Sequence, residues 1–144
     1  MRRLSVVVAG LWWASLCTVG FLVVPMLFVH LATPAMAGGM AAKLFSAQTW
    51  ISVVCGLFLL MLIAARSREA DDQPGSQPQA GELFWILAAL IAALLVEFAV
   101  APHILARENL AFWHRVGSGL YLMQCVCTAF VFWKSLTRLS QTPA

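Results

Sequence analysis

The sequence predicts an all-α polytopic membrane protein, a four-helix transmembrane bundle, and three observations carry that prediction. Hydrophobic residues make up 62% of the 144 positions and charged residues 10%, against about 25% charged in a typical soluble domain. The charges are placed so that uncharged runs remain at 4–42, 44–65, 83–96, 98–106 and 116–133, and about 20 apolar residues cross a bilayer core of about 30 Å. The runs are apolar on every face and lack the dyad alternation of a membrane strand. Open sheet edges are excluded in lipid as well, because each unpaired backbone group there costs several kcal/mol. A soluble enzyme, a secreted disulfide scaffold and a disordered chain are excluded. One membrane domain over 1–144 is expected, with almost nothing outside the lipid.

The first span covers roughly 4–31, and Pro25 interrupts it near its far end. Its apolar run is far longer than the 7–15 residues of a signal-peptide core. It is therefore read as a retained span, although Ala35-Met36-Ala37 resembles a small-residue cleavage site. Thr33-Pro34 suits the start of a short helix, which Gly38-Gly39 is expected to end. The second span covers 44–65. The polar segment 66–82, with two prolines and two glycines, reads as a flexible linker. The third span covers 83–105, with Pro102 near its end, and the fourth covers 116–133.

Lys and Arg orient the chain. With the N-terminus inside, the inner segments hold Arg2, Arg3, Arg66, Arg68, Lys134 and Arg138, against Lys43, Arg107 and Arg115 outside. Both termini and the 66–82 linker are thus expected on the cytoplasmic side. The net charge of +3 is a topology signal. No basic patch interleaves with aromatics, so no nucleic-acid partner is expected.

A weak internal repeat joins the halves. Phe21-Leu-Val-Val-Pro25-Met-Leu-Phe28 resembles Phe98-Ala-Val-Ala-Pro102-His-Ile-Leu105, and Leu44-Phe45-x-x-Gln48 resembles Leu120-Tyr121-x-x-Gln124. Both hairpins start on the same side, which makes this a parallel repeat.

Chemistry-bearing residues gather toward the outer half. Glu97 is read as the one acid inside a span, where burial costs at least about 2.5–3.5 kcal/mol and calls for a partner, a wet cavity or a proton. It continues the row Ala89, Ala93, Glu97, Ala101, and small residues at that spacing let a neighbouring helix approach, so Glu97 is expected to point into the bundle. Gln48 lines up with Ser52 and Cys55. His114, Ser118, Tyr121 and Cys125 follow helical spacing on the fourth span, with Gln124 beside them. Pro25 and Pro102 shape their helices and free the carbonyls of Phe21 and Phe98, which then bind a proton or cation, or pair with Gln48 and Gln124. Two readings stand side by side. One is a hydrogen-bonded structural cluster, and the other is a ligand or proton site at Glu97, Gln48, Gln124, His114 and Ser118.

His30, His103 and His114 all fall near the outer interface. Imidazole suits zinc, copper and iron, but no two of the three lie at i, i+3 or i+4, so no local metal motif exists and no cofactor is expected. Cys17, Cys55, Cys125 and Cys127 read as small apolar core groups. Trp85, Trp113 and Trp133 are expected at the interfaces, and Trp12, Trp13 and Trp50 in packing positions. No phosphate loop and no His-x-x-x-His pair occurs, so no enzymatic activity is expected.

The runs Leu11-Trp12, Gly20-Phe21-Leu-Val-Val-Pro25-Met-Leu-Phe28, Ala37-Gly38 and Leu44-Phe45 resemble the bacterial DUF4149 proteins, which are related to the eukaryotic transmembrane protein 205 family. Pro102, Phe112-Trp113-His114, Gly117-Ser118 and Leu120-Tyr121-Leu122 extend the resemblance over nearly the whole chain. It implies a small four-span protein without an assigned activity. The family's fourth-helix motif is closer to His-Gly-x-Ser, so the spacing of His114 and Ser118 departs from it. A second resemblance rests on Pro25-Met26-Leu27-Phe28-Val29-His30, which is similar to runs in haem-binding membrane oxidases of the HemJ type and in CopD-like copper proteins. It implies haem or copper held by His30, His103 and His114. The expected function is therefore a non-enzymatic membrane component that moves a small solute, proton or cation, or assembles with another membrane protein or with itself. A haem or copper redox protein is the alternative.

Overall fold

The computed structural model describes residues 2–71 and 80–140. Four long helices run through it: α1, Arg2–His30; α2, Pro34–Asp71; α3, from Ala80 to Leu105; and α4, Leu110–Ser140. All four are long and apolar enough to cross a membrane, and the described residues contain no strand. The all-α, four-span expectation therefore holds. In hydrocarbon a helix satisfies its own backbone polar groups, which is why apolar runs of this length fold this way.

Consecutive helices are antiparallel and the ring closes by packing α4 on α1. The most extensive packing joins α4 to α3 and to α1, and α2, the longest helix, is the least extensively packed. One end of the bundle carries the start of α1, the end of α4, the end of α2 and the start of α3. The other carries the two short connections at 31–33 and 106–109. These are called the terminal end and the hairpin end. Trp12, Leu16, Leu59, Ile86, Ala89, Tyr121, Cys125 and Val131 form the shared core.

The helices are longer than the hydropathy runs. α2 begins at Pro34, where Thr33 supplies the cap: its Oγ1 accepts from the amide of Met36 at 3.3 Å and its carbonyl from Ala37 at 3.1 Å. The expected helix start is correct, but the expected stop at Gly38-Gly39 is not. A helical glycine costs only about 1 kcal/mol relative to alanine, and the helix runs on into the second span. The expected linker also shrinks, because 66–71 belong to α2 and 80–82 to α3; the remainder of that linker lies outside the described residues.

Neither proline breaks its helix. A π-helical segment precedes each one: Thr18–Val23 before Val24-Pro25, and Val96–Val100 before Ala101-Pro102. A proline lacks an amide hydrogen and collides with the carbonyl four residues back, which is Phe21 in one case and Phe98 in the other. Both carbonyls lie inside the π segments, where the widened i→i+5 turn relieves the collision. The two halves thus solve the same local problem in the same way at positions matched by the repeat.

Tyr121 seals the first π segment. Its hydroxyl donates to the carbonyl of Leu16 at 2.8 Å, and its ring occupies the space where a Cβ on Gly20 would sit. At the hairpin end α3 closes on Arg107 (φ 57°). Glu108 N donates to His103 O at 3.0 Å and Arg107 N to Ile104 O at 3.1 Å, a Schellman arrangement whose left-handed position normally takes glycine.

Two substitutions test this account by thermal unfolding in detergent. Gly20→Ala forces the Tyr121 ring aside and should destabilise the protein by about 1–3 kcal/mol. Arg107→Gly relieves a left-handed non-glycine residue and should stabilise it by up to about 1 kcal/mol; no rise in Tm would contradict the strain at that turn.

Candidate functional site

The centre of the bundle holds a run of hydrogen bonds between helices. Gln124 Nε2 on α4 donates to Ser52 Oγ on α2 at 2.9 Å. Ser52 Oγ donates to the carbonyl of Gln48 at 2.8 Å. Gln48 Nε2 donates to Ser15 Oγ on α1 at 3.0 Å, and Ser15 Oγ donates to the carbonyl of Trp12 at 2.8 Å. Thr128 Oγ1 donates to the carbonyls of Gln124 and Cys125, each at 3.0 Å. Gln48, Ser52, Gln124 and Thr128 are all buried. Among the described residues, the buried Trp12 Nε1 and Gln48 Oε1 have no hydrogen-bond partner.

Glu97 is held apart from this run. It sits inside the second π segment and is half-buried. Ser46 Oγ on α2 donates to Glu97 Oε1 at 2.6 Å. The row read from the sequence is real: Ala89 and Ala93 are buried and Glu97 and Ala101 half-buried. The carboxylate, however, lies at the seam between α2 and α3. Sequence reading missed Ser46, because a lone serine in an apolar span carries no pattern of its own.

The other expected site residues are placed as follows. Gln48 and Gln124 come together through Ser52, and neither pairs with the Phe21 or Phe98 carbonyl. His114 and Ser118 are exposed on the hairpin-end part of α4. His30 is exposed, and its Nδ1 pairs with the carbonyl of Met26 at 2.9 Å. His103 Nδ1 pairs with Glu108 Oε2 at 2.8 Å, and its ring stacks on Trp113 with centroids 4.1 Å apart and planes 5° from parallel. Among the described residues, no group of three His, Cys, Asp or Glu side chains is arranged to hold a metal ion. Trp12 is fully buried, whereas Trp50 is 56% exposed. The packing role expected for Trp50 is thus wrong: it points outward, away from its buried neighbours Gln48, Thr49 and Ser52.

A second acid was misplaced in the sequence. Glu82, assigned to the linker, lies in the first turn of α3 and is 0% exposed. Arg138 Nη1 on α4 donates to its Oε2. Arg66 Nη2 on α2 lies 3.7 Å from its Oε1, and Ser135 Oγ donates to the same oxygen at 3.4 Å. Two cations on one carboxylate offset the cost of burying it. The signal was available in the matched placement of Arg66, Glu82 and Arg138 at three span ends, but their common depth hid it among ordinary interfacial charges.

The sequence model of DUF4149, a domain of unknown function, matches residues 7–112, and the chain belongs to that family. No curated protein and no solved structure matches the chain.

Ser52→Ala tests the central run. It leaves the buried Gln124 amide without its acceptor, which should cost about 1–3 kcal/mol, read as a lower Tm in detergent. An unchanged Tm would mean that the run does not hold the helices in register.

Proposed function

We propose that this DUF4149 member binds a proton or a small cation at the Glu97 carboxylate and moves it, with or without a small solute, across the membrane. One observation carries the reading. Glu97 lies within a span, and among the described residues its hydrogen-bond partner is a neutral hydroxyl, Ser46 at 2.6 Å, with no Lys, Arg or His within ion-pair distance. A charged carboxylate at that depth needs a countercharge, which a proton or a cation supplies. The half-exposed position at the α2–α3 seam gives such an ion a way in.

Gln48, Gln124, Ser52 and Ser15 serve in this reading as the scaffold that fixes α2. Exposed His114 and Ser118, on the hairpin-end part of α4, are assigned to the outer entrance in this reading. Pro102 with its π segment sets the local widening that presents Glu97, and Pro25 sets the matching widening in α1 that receives Tyr121. The excess of Lys and Arg at the terminal end supports placing that end, with both termini, in the cytoplasm of a bacterial cell. The half exposure also favours a second reading, in which a basic side chain from another membrane protein pairs with Glu97 and the site mediates assembly. No step requires haem, copper or enzymatic chemistry.

The test is ion flux in proteoliposomes, read with a pH-sensitive dye inside and repeated with alkali cations. Wild-type protein should exceed empty liposomes, and Glu97→Gln should lower the flux at least tenfold at equal folded yield. Full flux in Glu97→Ala would overturn the site. Absence of wild-type flux together with Glu97-dependent co-purification of a partner would establish the assembly reading instead.

A further inference from the structure

The Glu82 cluster plays no part in that function as stated, yet it lies on the same seam. α2 and α3 touch at three levels. Near the hairpin end Ser46 meets Glu97. At mid-depth Gly56 lets α3 approach so closely that Leu90 Cδ2 is 2.6 Å from where a Cβ would stand. At the terminal end Arg66 meets Glu82. Glu82 and Glu97 are fifteen positions apart, about 22 Å of helix, and the buried residues Ile86, Ala89 and Ala93 step between them at intervals of three or four. The two acids therefore mark opposite ends of one helix face.

The clamp at the terminal end is uneven. Arg138 holds Glu82 by a direct hydrogen bond, helped by Ser135 from the same helix. Arg66 approaches only to 3.7 Å; its Nη2 is buried without a hydrogen-bond partner among the described residues, while its Nε donates to Leu62 O at 3.2 Å. Lys134 adds positive charge at this level, its Nζ lying 2.8 Å from the Cβ position of Gly81. If Arg66 leaves, Glu82 keeps Arg138 and is not stranded as a bare buried charge. The loosely held arm belongs to α2, the helix least packed against the rest. The tight arm belongs to α4, the most packed.

The geometry points to Arg66–Glu82–Arg138 as a gate that closes the terminal end of the α2–α3 seam, opening by release of Arg66 while the Glu82–Arg138 pair stays intact. The inference rests on Glu97 as the ion site of that seam, and gives the site its regulation: an ion bound at Glu97 leaves toward the terminal end when α2 swings away from Glu82.

Ile63, buried one turn before Arg66, is the place for a probe. In full-length protein with the four native cysteines replaced by alanine, Ile63→Cys reports access through its reaction rate with a membrane-impermeant maleimide. The background variant should react slowly, Arg66→Gln should raise the rate at least fivefold, and Arg66→Lys should restore most of the protection. An unchanged rate in Arg66→Gln would overturn the gate, as would a rate in Arg66→Lys equal to that in Arg66→Gln. Because labelling needs no flux, a failed Glu97 experiment and a failed gate remain distinguishable.

Discussion

The run from Gln124 through Ser52 and Gln48 to Ser15 is the interaction on which the rest of the bundle depends. Lipid tails are as apolar as leucine, so no hydrophobic force decides which faces of four apolar helices should meet. Shape and hydrogen bonds must decide. A buried glutamine amide has few ways to be satisfied in hydrocarbon, and here each one reaches across to another helix. Once Gln48 and Gln124 are bonded to the hydroxyls of Ser15 and Ser52, the rotation and the axial register of α1, α2 and α4 are fixed together. Tyr121 then lies against Gly20 and its ring meets that of Phe45 edge-on, with centroids 5.1 Å apart.

The prolines act within that frame. Each removes a backbone donor in a region with no water to replace it, and each is answered by a π segment rather than a kink to the surface. The extra width has a different use in each half. In α1 it receives Tyr121, whose hydroxyl satisfies the Leu16 carbonyl. In α3 the position that the repeat matches to Gly20 is Glu97. One half therefore uses the widened turn to seal the bundle, and the other uses it to present a carboxylate. The same comparison sets Glu82 against Ser5, also buried. Both acids of α3 thus stand where α1 carries a small residue.

The fold was legible because its cause is coarse. Charge spacing sets the number of spans, and a bilayer allows apolar runs little choice but helix. The prolines, the importance of Gln48 and Gln124, and the repeat were legible too, since each leaves a residue that stands out from an apolar background; the partners of the two glutamines, Ser15 and Ser52 rather than the Phe21 and Phe98 carbonyls, were not. Boundaries were less so: hydropathy marks the lipid, while a helix such as α2 continues past it through Gly38, Gly39 and Arg66. Ser46 and the outward turn of Trp50 depend on which face of α2 meets α3, and the packing that fixes this involves Gly56 and Leu90, residues too ordinary to announce it.

Glu82 shows why charge counting alone misplaces function in such a chain. A carboxylate at a span end reads as solvated, and an arginine at the same depth reads as topology. Three such residues on three helices that converge at one level are neither, because convergence removes the water that made the solvated reading safe. A second arginine makes the burial tolerable and also makes one arm expendable. A single ion pair at that place would be a permanent joint, since parting it would strand a charge. The redundancy of Arg66 and Arg138 is what lets a joint between α2 and α3 be released, and it places the only such joint described at the far end of the seam from Glu97.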